Sequence, residues 1–397
     1  MGKDLKGKEL GKGIRQRKDG RYEARLKVNG VEQQIYSNSL TEIKKEYIKM
    51  KKASEESLDY KKQGITLNEW FNEWFDTYKA PHIKSTSIYP MKSKFNNSFG
   101  KIIGDKKLVE IRNMDIQNVI NQMQSEGRAV SSMRDALGRV RECMESAKNN
   151  RIITINPCFD ITIPWEKKAI RRRFLSKEEQ NLFLKIASDK WYKEMFYIMF
   201  LTGLRVGELG GLMWNDIDFE KKCIRIERSL SCQYEKGVKT QRITTPKTYN
   251  SYRTIPFMGE AEEMFKAQLV KQKALKKELG DRWRSDIPDL VFTTTMGSPV
   301  TRYIAEKECS KIVDEMNLQE AVNSVKENRK PIVYEPIYPH AIRHTFCSRC
   351  FETGMNPKVV QQLMGHQHYS TTVDIYTHVT KNMFDEEIKK LESALFD

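Results

Sequence analysis

Four short blocks in the second half of the chain hold residues suited to chemistry on a phosphodiester. Leu201-Thr-Gly-Leu-Arg-Val-Gly-Glu-Leu209 sets Arg205 just after a glycine turn and near a helix start, with Glu208 one turn on. Thr245-Pro-Lys-Thr-Tyr-Asn-Ser-Tyr-Arg-Thr-Ile-Pro256 sets Lys247 at a turn between strands. Tyr338-Pro-His-Ala-Ile-Arg-His-Thr-Phe346 offers His340 and Arg343 one turn apart, and Gly365-His366 is followed by Thr371-Thr372 and Tyr376. Two guanidiniums can fork onto the non-bridging oxygens of one phosphate and stabilise charge gathering in a pentacoordinate transition state. A tyrosine phenol suits the attack because its phosphodiester preserves bond energy for rejoining. Glu208 reads as a residue that orients Arg205.

Other chemistries fit poorly. Gly11-Lys-Gly13 lacks the spacing and the preceding strand of a phosphate-cradling loop. His340 and His344 have the spacing of a zinc peptidase pair, but Ala341 and Ile342 fill the interior where a water-activating Glu belongs. Cys347-Ser-Arg-Cys350 is a single CxxC with no second pair. No metal or cofactor is expected, because the arginines supply the positive charge that a two-metal nuclease takes from its ions.

These blocks need a frame, and the hydrophobic pattern supplies one. A capping box, Ser176 with Glu179, opens a domain expected over 174–397. It reads as mainly helical, with a strand-rich middle from Cys223 to Phe257, a helix from Glu260 to Leu279 and more helix after Val300. Upstream, Leu67, Trp70, Phe71, Trp74, Phe75 and Tyr78 recur at helical spacing. Helical runs follow over Met114–Met123 and Ser131–Asn149, so 65–165 reads as an all-helical bundle with the aromatic stripe as core. Residues 1–62 read as a small sheet-plus-helix module. Tyr22, Ala24, Leu26 and Val28 alternate with charged residues between the turn dipeptides Asp19-Gly20 and Asn29-Gly30. Val31 to Tyr36 completes a three-stranded antiparallel sheet, and a helix from Thr41 carries Ile43, Tyr47 and Met50 on one face. The fold class is therefore multidomain α+β. Two polar stretches, 271–288 and 325–334, read as inserts.

At 397 residues the chain is long enough for two or three domains. Its 69 Lys+Arg exceed its 53 Asp+Glu, a net charge of +16. That excess points to a polyanion, and to nucleic acid ahead of anionic lipid because no lipid anchor is evident. Arg15, Arg17, Arg21, Arg25 and Lys27 on the open sheet face, and Lys168, Arg171 and Arg172 in a basic linker, are the candidate DNA contacts. The chain lacks a run of ~20 apolar residues and a hydrophobic signal region, so a cytoplasmic, nucleoid-associated location without membrane contact is expected. Seven scattered cysteines suit a reducing compartment.

Taken in order, Thr-Gly-x-Arg-x-x-Glu, Pro-Lys-Thr, His-x-x-Arg-His-Thr and Gly-His-(x)4-Thr-Thr-x-x-x-Tyr resemble the tyrosine recombinases, or lambda-type integrases. The helical bundle is similar to that family's core-DNA-binding domain, and the sheet module to the arm-binding domain of integrases from phages and conjugative transposons. The resemblance implies site-specific recombination through a 3′-phosphotyrosyl link on Tyr376 and a Holliday junction. It also implies a protein tetramer on paired attachment sites with arm-type and core-type DNA, and excisionase or DNA-bending accessory proteins. Lys247 would protonate the leaving 5′-oxygen, His340 would assist proton transfer at Tyr376, and His366 would donate to the scissile phosphate. A chromosome-dimer-resolving recombinase shares the chemistry but typically lacks the sheet module. A non-catalytic DNA-binding regulator shares only the charge. Phe384, Ile388, Leu391 and Leu395 form a narrow apolar stripe, which the family docks on a neighbouring subunit; packing on its own domain is the alternative.

Overall fold

Alternation of apolar and charged residues builds the N-terminal sheet. The computed structural model describes residues 2–28, 31–55, 62, 64–165, 173–235, 238–245, 251–284 and 286–380. Strand β1 (Gly2–Lys3) pairs with β2 (Glu9–Gly11), a hairpin too short to leave a periodic signal. Strands β3 (Ile14–Gln16), β4 (Tyr22–Val28) and β5 (Val31–Ser37) form the expected three-stranded antiparallel sheet. Helix α1 (Leu40–Glu55) covers one face, where Leu10, Ile14, Ala24 and Ile43 make a small core. The register sets Arg15 and Tyr36 on either side of Glu23, and Arg25 opposite Gln34. Period two therefore keeps these residues on the face away from the helix.

The bundle follows. Helix α2 (Leu67–Trp74) starts at a Thr66–Glu69 capping box and runs into a π-turn at Phe75–Lys79. Helices α3 (Ser85–Phe95), α4 (Lys101–Ile103), α5 (Asn113–Ser125) and α6 (Val130–Asn149) complete it. Trp70, Phe71, Trp74 and Phe75 are buried with Phe99, Val119, Leu137 and Met144. The Trp70 indole donates to the Cys143 carbonyl at 3.0 Å. Tyr78 does not join this core and stays 47% exposed. The π-turn closes i→i+5 bonds, which shifts the 3.6-residue phase just before it.

In the last part of the chain, α7 (Lys177–Ala187) begins at the expected Ser176–Glu179 capping box. Helices α8 (Lys193–Thr202) and α9 (Val206–Gly210) lead into β6 (Ile217–Asp218) and β7 (Cys223–Ile226). A hairpin of β8 (Ser229–Glu235) and β9 (Val238–Thr244) follows, then β10 (Arg253–Pro256), which joins an antiparallel sheet in the order β10-β7-β6. Helices α10 (Gly259–Leu279), α11 (Arg302–Lys326), α12 (Pro339–Glu352), α13 (Pro357–Met364) and α14 (Tyr369–Thr380) finish the described chain. The core gathers on α8, with Phe196 and Met199 packed among Phe183, Phe265 and Ile342. The expected helix from Glu260 to Leu279 forms as α10, and the stretch read as an insert from 271 begins inside it. Gln272 is buried there and donates to the Leu290 carbonyl at 2.9 Å. Lys271 meets Glu194 and lies 4.6 Å from the Trp191 ring centroid. The second polar stretch folds back on α11, where Tyr334 N–H donates to Asn317 at 2.8 Å.

By contact density the chain divides into two units, Met1–Lys167 and Lys168–Asp397. The first contains both the sheet core and the bundle core as separate clusters. No described helix is long and apolar enough to cross a membrane. The apolar stripe of 384–395 lies outside the described residues.

Candidate active site on a helix end

Helix α8 stops at Gly203, whose φ of 61° is left-handed. A Cβ there would sit 2.3 Å from a Phe346 ring carbon, so the position takes only glycine. The turn delivers Arg205 to the N-cap of α9. Its amide donates to Glu208 at 3.0 Å, and its Nη1 to the same carboxylate at 2.7 Å. Arg343 comes from α12 and is 1% exposed. Its Nη1 donates to the Gly203 carbonyl at 2.6 Å and its Nη2 to the Met364 carbonyl.

Helix α13 ends at Gly365, again left-handed, with φ 60°. Three consecutive carbonyls at this end each receive a guanidinium. Arg253 Nε reaches Leu363 at 2.7 Å, Arg343 reaches Met364, and Arg205 Nη2 reaches Gly365 at 2.8 Å. The last carbonyls of a helix have no partner within it and carry the negative end of its dipole, so cations gather there. Glu208, 4% exposed, is the carboxylate that Arg205 and Arg253 share, with Arg253 forked onto it at 3.0 and 2.8 Å. Burial pushes the Glu208 carboxyl up, but the Arg253 hydrogen bonds and the charges of Arg253, Arg205 and Arg343 outweigh it and hold it at about 2. Burial, with the charge of Arg205, pushes Arg343 down to about 9 against the pull of Glu208.

His366 follows directly on this helix end and is 9% exposed. Its Nδ1 lies 2.9 Å from the Thr372 hydroxyl, and its amide donates to the Gln361 carbonyl at 3.2 Å. Arg253, Tyr252, Lys358, Gln362, Gly365 and His366 line a concavity of about 310 Å³ together with Gln361. His340 lies exposed in the first turn of α12, its ring edge-on to His344 at 4.8 Å. Tyr376 falls in α14, which packs on α12 and α13. Lys247 lies outside the described residues, between β9 and β10. The structure thus brings Arg205, Arg343 and His366 to one helix end and keeps His340 on the helix of Arg343. Cys347 and Cys350 are buried and not disulfide-bonded, and no three His, Cys, Asp or Glu side chains form a metal-site cluster among the described residues.

The description of the phage integrase family matches residues 173–383, and that of its N-terminal SAM-like domain matches residues 66–124. The chain belongs to the phage integrase family. It is a tyrosine-type site-specific recombinase. It is 29% identical over 334 residues, 80% of each chain, to a XerC-like tyrosine recombinase of Caldanaerobacter subterraneus subsp. tengcongensis. It is 25% identical to the transposase from transposon Tn916 of Enterococcus faecalis, over 98% of this chain and 96% of that one. In fold it is similar to the Tn1549 transposon integrase in complex with a circular intermediate DNA. That match has a TM-score of 0.66 at 21% identity, over 82% of this chain and 99% of that one.

Arg253 is the residue of this integrase site that the motifs did not single out. A signal was present: Arg253 and Ile255 share a face of β10, and Ile255 is buried, so the arginine points inward too. On the N-terminal sheet, Arg15 and Arg25 clamp the fully buried Glu23 at 2.7 and 2.5 Å. Burial raises the Glu23 carboxyl, and the two arginines more than offset it, leaving it lowered. Arg17 and Arg21 lie 5.2 and 5.9 Å from the Tyr36 ring centroid. Lys27 is exposed at the far end of β4. Lys168, Arg171 and Arg172 lie outside the described residues.

Proposed function

We propose that this recombinase is the integrase of a mobile genetic element and cuts its DNA with Tyr376. The observation that carries the reading is the charge at the α13 end. Three guanidiniums (Arg205, Arg253 and Arg343) surround one carboxylate, Glu208, so the cluster keeps two positive charges in a buried setting. An anion is the natural complement, and a phosphodiester satisfies it. Arg205 and Arg343 then hold the non-bridging oxygens, and His366 donates to one of them. Tyr376 attacks phosphorus, with His340 taking its proton, and Lys247 protonates the 5′-oxygen that leaves. The product is a 3′-phosphotyrosyl bond and a free 5′-hydroxyl, and the reverse attack rejoins strands. The positive charge comes from arginine, so the step requires no metal.

Separate cores in the sheet module and the bundle support three working parts: 1–62 on arm-type sites, 65–165 on core-type sites, and 174–397 for catalysis. The similarity to the transposase from transposon Tn916, over 98% of this chain and 96% of that one, supports the mobile element. It also favours this reading over chromosome-dimer resolution, as does the sheet module. A tetramer on paired sites, a Holliday-junction intermediate, excisionase or DNA-bending partners and a cytoplasmic location at the nucleoid follow from this assignment. A non-catalytic regulator would have no use for the anchored arginines. The test offers the full-length protein two duplexes, the joined ends of the element carrying its gene and a recipient sequence, in buffer with EDTA. Recombinant duplexes with conserved strand length are expected. Hydrolytic nicks without rejoining, or dependence on added metal, would overturn the proposal.

A further inference from the structure

Arg253 is an unusual arginine: its side chain is only 7% exposed, on a short strand. It meets the cost of burial by engaging most of its donors. Nε binds the Leu363 carbonyl at 2.7 Å, and Nη1 and Nη2 fork onto Glu208. Nη1 also donates to the Ser251 carbonyl at 3.2 Å. One planar group therefore ties β10, the start of α9 and the end of α13 together. The two Glu208 oxygens that it fixes are those that hold the amide and the Nη1 of Arg205. The carbonyl that it fixes lies three residues before His366. Most of its donors are committed to protein, which sets it apart from a phosphate ligand.

We propose that Arg253 is a positioning residue for strand cleavage, holding Glu208 against Arg205 and fixing the helix end that presents His366. The proposal rests on the reading that Arg205 and His366 bind the scissile phosphate. A lysine keeps the charge but not the fork, because a single ammonium cannot satisfy both carboxylate oxygens and the 363 carbonyl in one plane. Displacing Arg205 or His366 by about an ångström is enough to cost up to about a hundredfold in rate.

The test uses the full-length protein and a labelled duplex of the element's joined ends, nicked beside the cleavage position so that covalent adduct accumulates. For the parent, Arg253→Lys and Arg253→Gln, the rate of adduct formation at saturating DNA, the half-saturating DNA concentration and the thermal midpoint are measured. The proposal expects Arg253→Lys to lose about tenfold to a hundredfold in rate, with half-saturation nearly unchanged. It also expects Arg253→Lys to add little to Arg205→Lys, since both act through one interaction. Arg205→Lys also serves as the control: if it cleaves at the parent rate, the reading of the site fails whatever Arg253 does. If that control is slow but Arg253→Lys cleaves at the parent rate, the positioning role is wrong. It is equally wrong if rate and DNA affinity fall together with the thermal midpoint, or if neither Arg253 variant folds, for Arg253 is then merely structural.

Discussion

Arg205 and Arg343 are anchored one residue apart on the same helix end, Arg205 on the Gly365 carbonyl and Arg343 on that of Met364. One chain turn therefore fixes both guanidiniums, although they come from different helices. Replacing either by lysine keeps the charge and loses the geometry. Arg205→Lys and Arg343→Lys are each expected to slow strand cleavage by about 10²–10³-fold, in the range of losing a transition-state hydrogen-bond donor. DNA affinity should change far less, because it is spread over many phosphates. Single-turnover cleavage beside a mobility-shift titration separates the two effects.

Glu208 links the same site to stability. Its carboxyl is held at about 2 in the folded chain against an ordinary 4.5. A lowered carboxyl contributes stability above its unfolded value and loses it as pH falls through the folded one, so the window here is pH 4.5 down to about 2. The full contribution is about 3 kcal/mol. Glu208→Gln is expected to be less stable than the parent at pH 7, with the gap closing below pH 4.5. Urea unfolding at several pH values checks this, and a pH-independent gap would count against it.

Gly203→Ala should disturb both fold and chemistry. The new methyl meets the Phe346 ring, and the left-handed φ is strained for any side chain. A loss of about 1–3 kcal/mol is expected. The Gly203 carbonyl also holds Arg343, so the folded fraction should cleave slowly. Thermal unfolding together with the cleavage rate per folded molecule provides the measurement.

The N-terminal sheet predicts a salt effect. Arg17→Ala and Lys27→Ala are each expected to lower the slope of log affinity against log salt by about 0.9, the signature of one lost phosphate contact. Anisotropy titrations of the full-length protein on the element's terminal DNA, over ~50–200 mM salt, report that slope. An unchanged slope would remove these residues from the interface.

Much of this was legible in the chain because the signals are local. The Ser176–Glu179 box, the period-two run of β4 and the helical spacing of Trp70, Phe71 and Trp74 each lie within a few residues, and each formed as expected. Arg205 was legible because a glycine turn and a helix start flank it, and Arg343 because it follows His340 by one turn near the start of its helix. For Arg253 only the inward face was legible, in the alternation of β10; its role was not, since its partners Glu208 and Leu363 lie 45 and 110 residues away and only the fold brings them near. Tyr78 left the core because a π-turn altered the phase, which no apolar pattern encodes. The 271–279 segment looked like an insert because its burial is achieved by polar residues, Lys271 and Gln272, through hydrogen bonds.

The central claim is that Tyr376 forms the covalent bond to DNA. The most direct measurement incubates the parent and Tyr376→Phe with the nicked, labelled duplex, then resolves protease-sensitive adduct on a denaturing gel. The account predicts a 3′-linked adduct for the parent and none for Tyr376→Phe, with DNA binding intact in both. Equal adduct from Tyr376→Phe would contradict it.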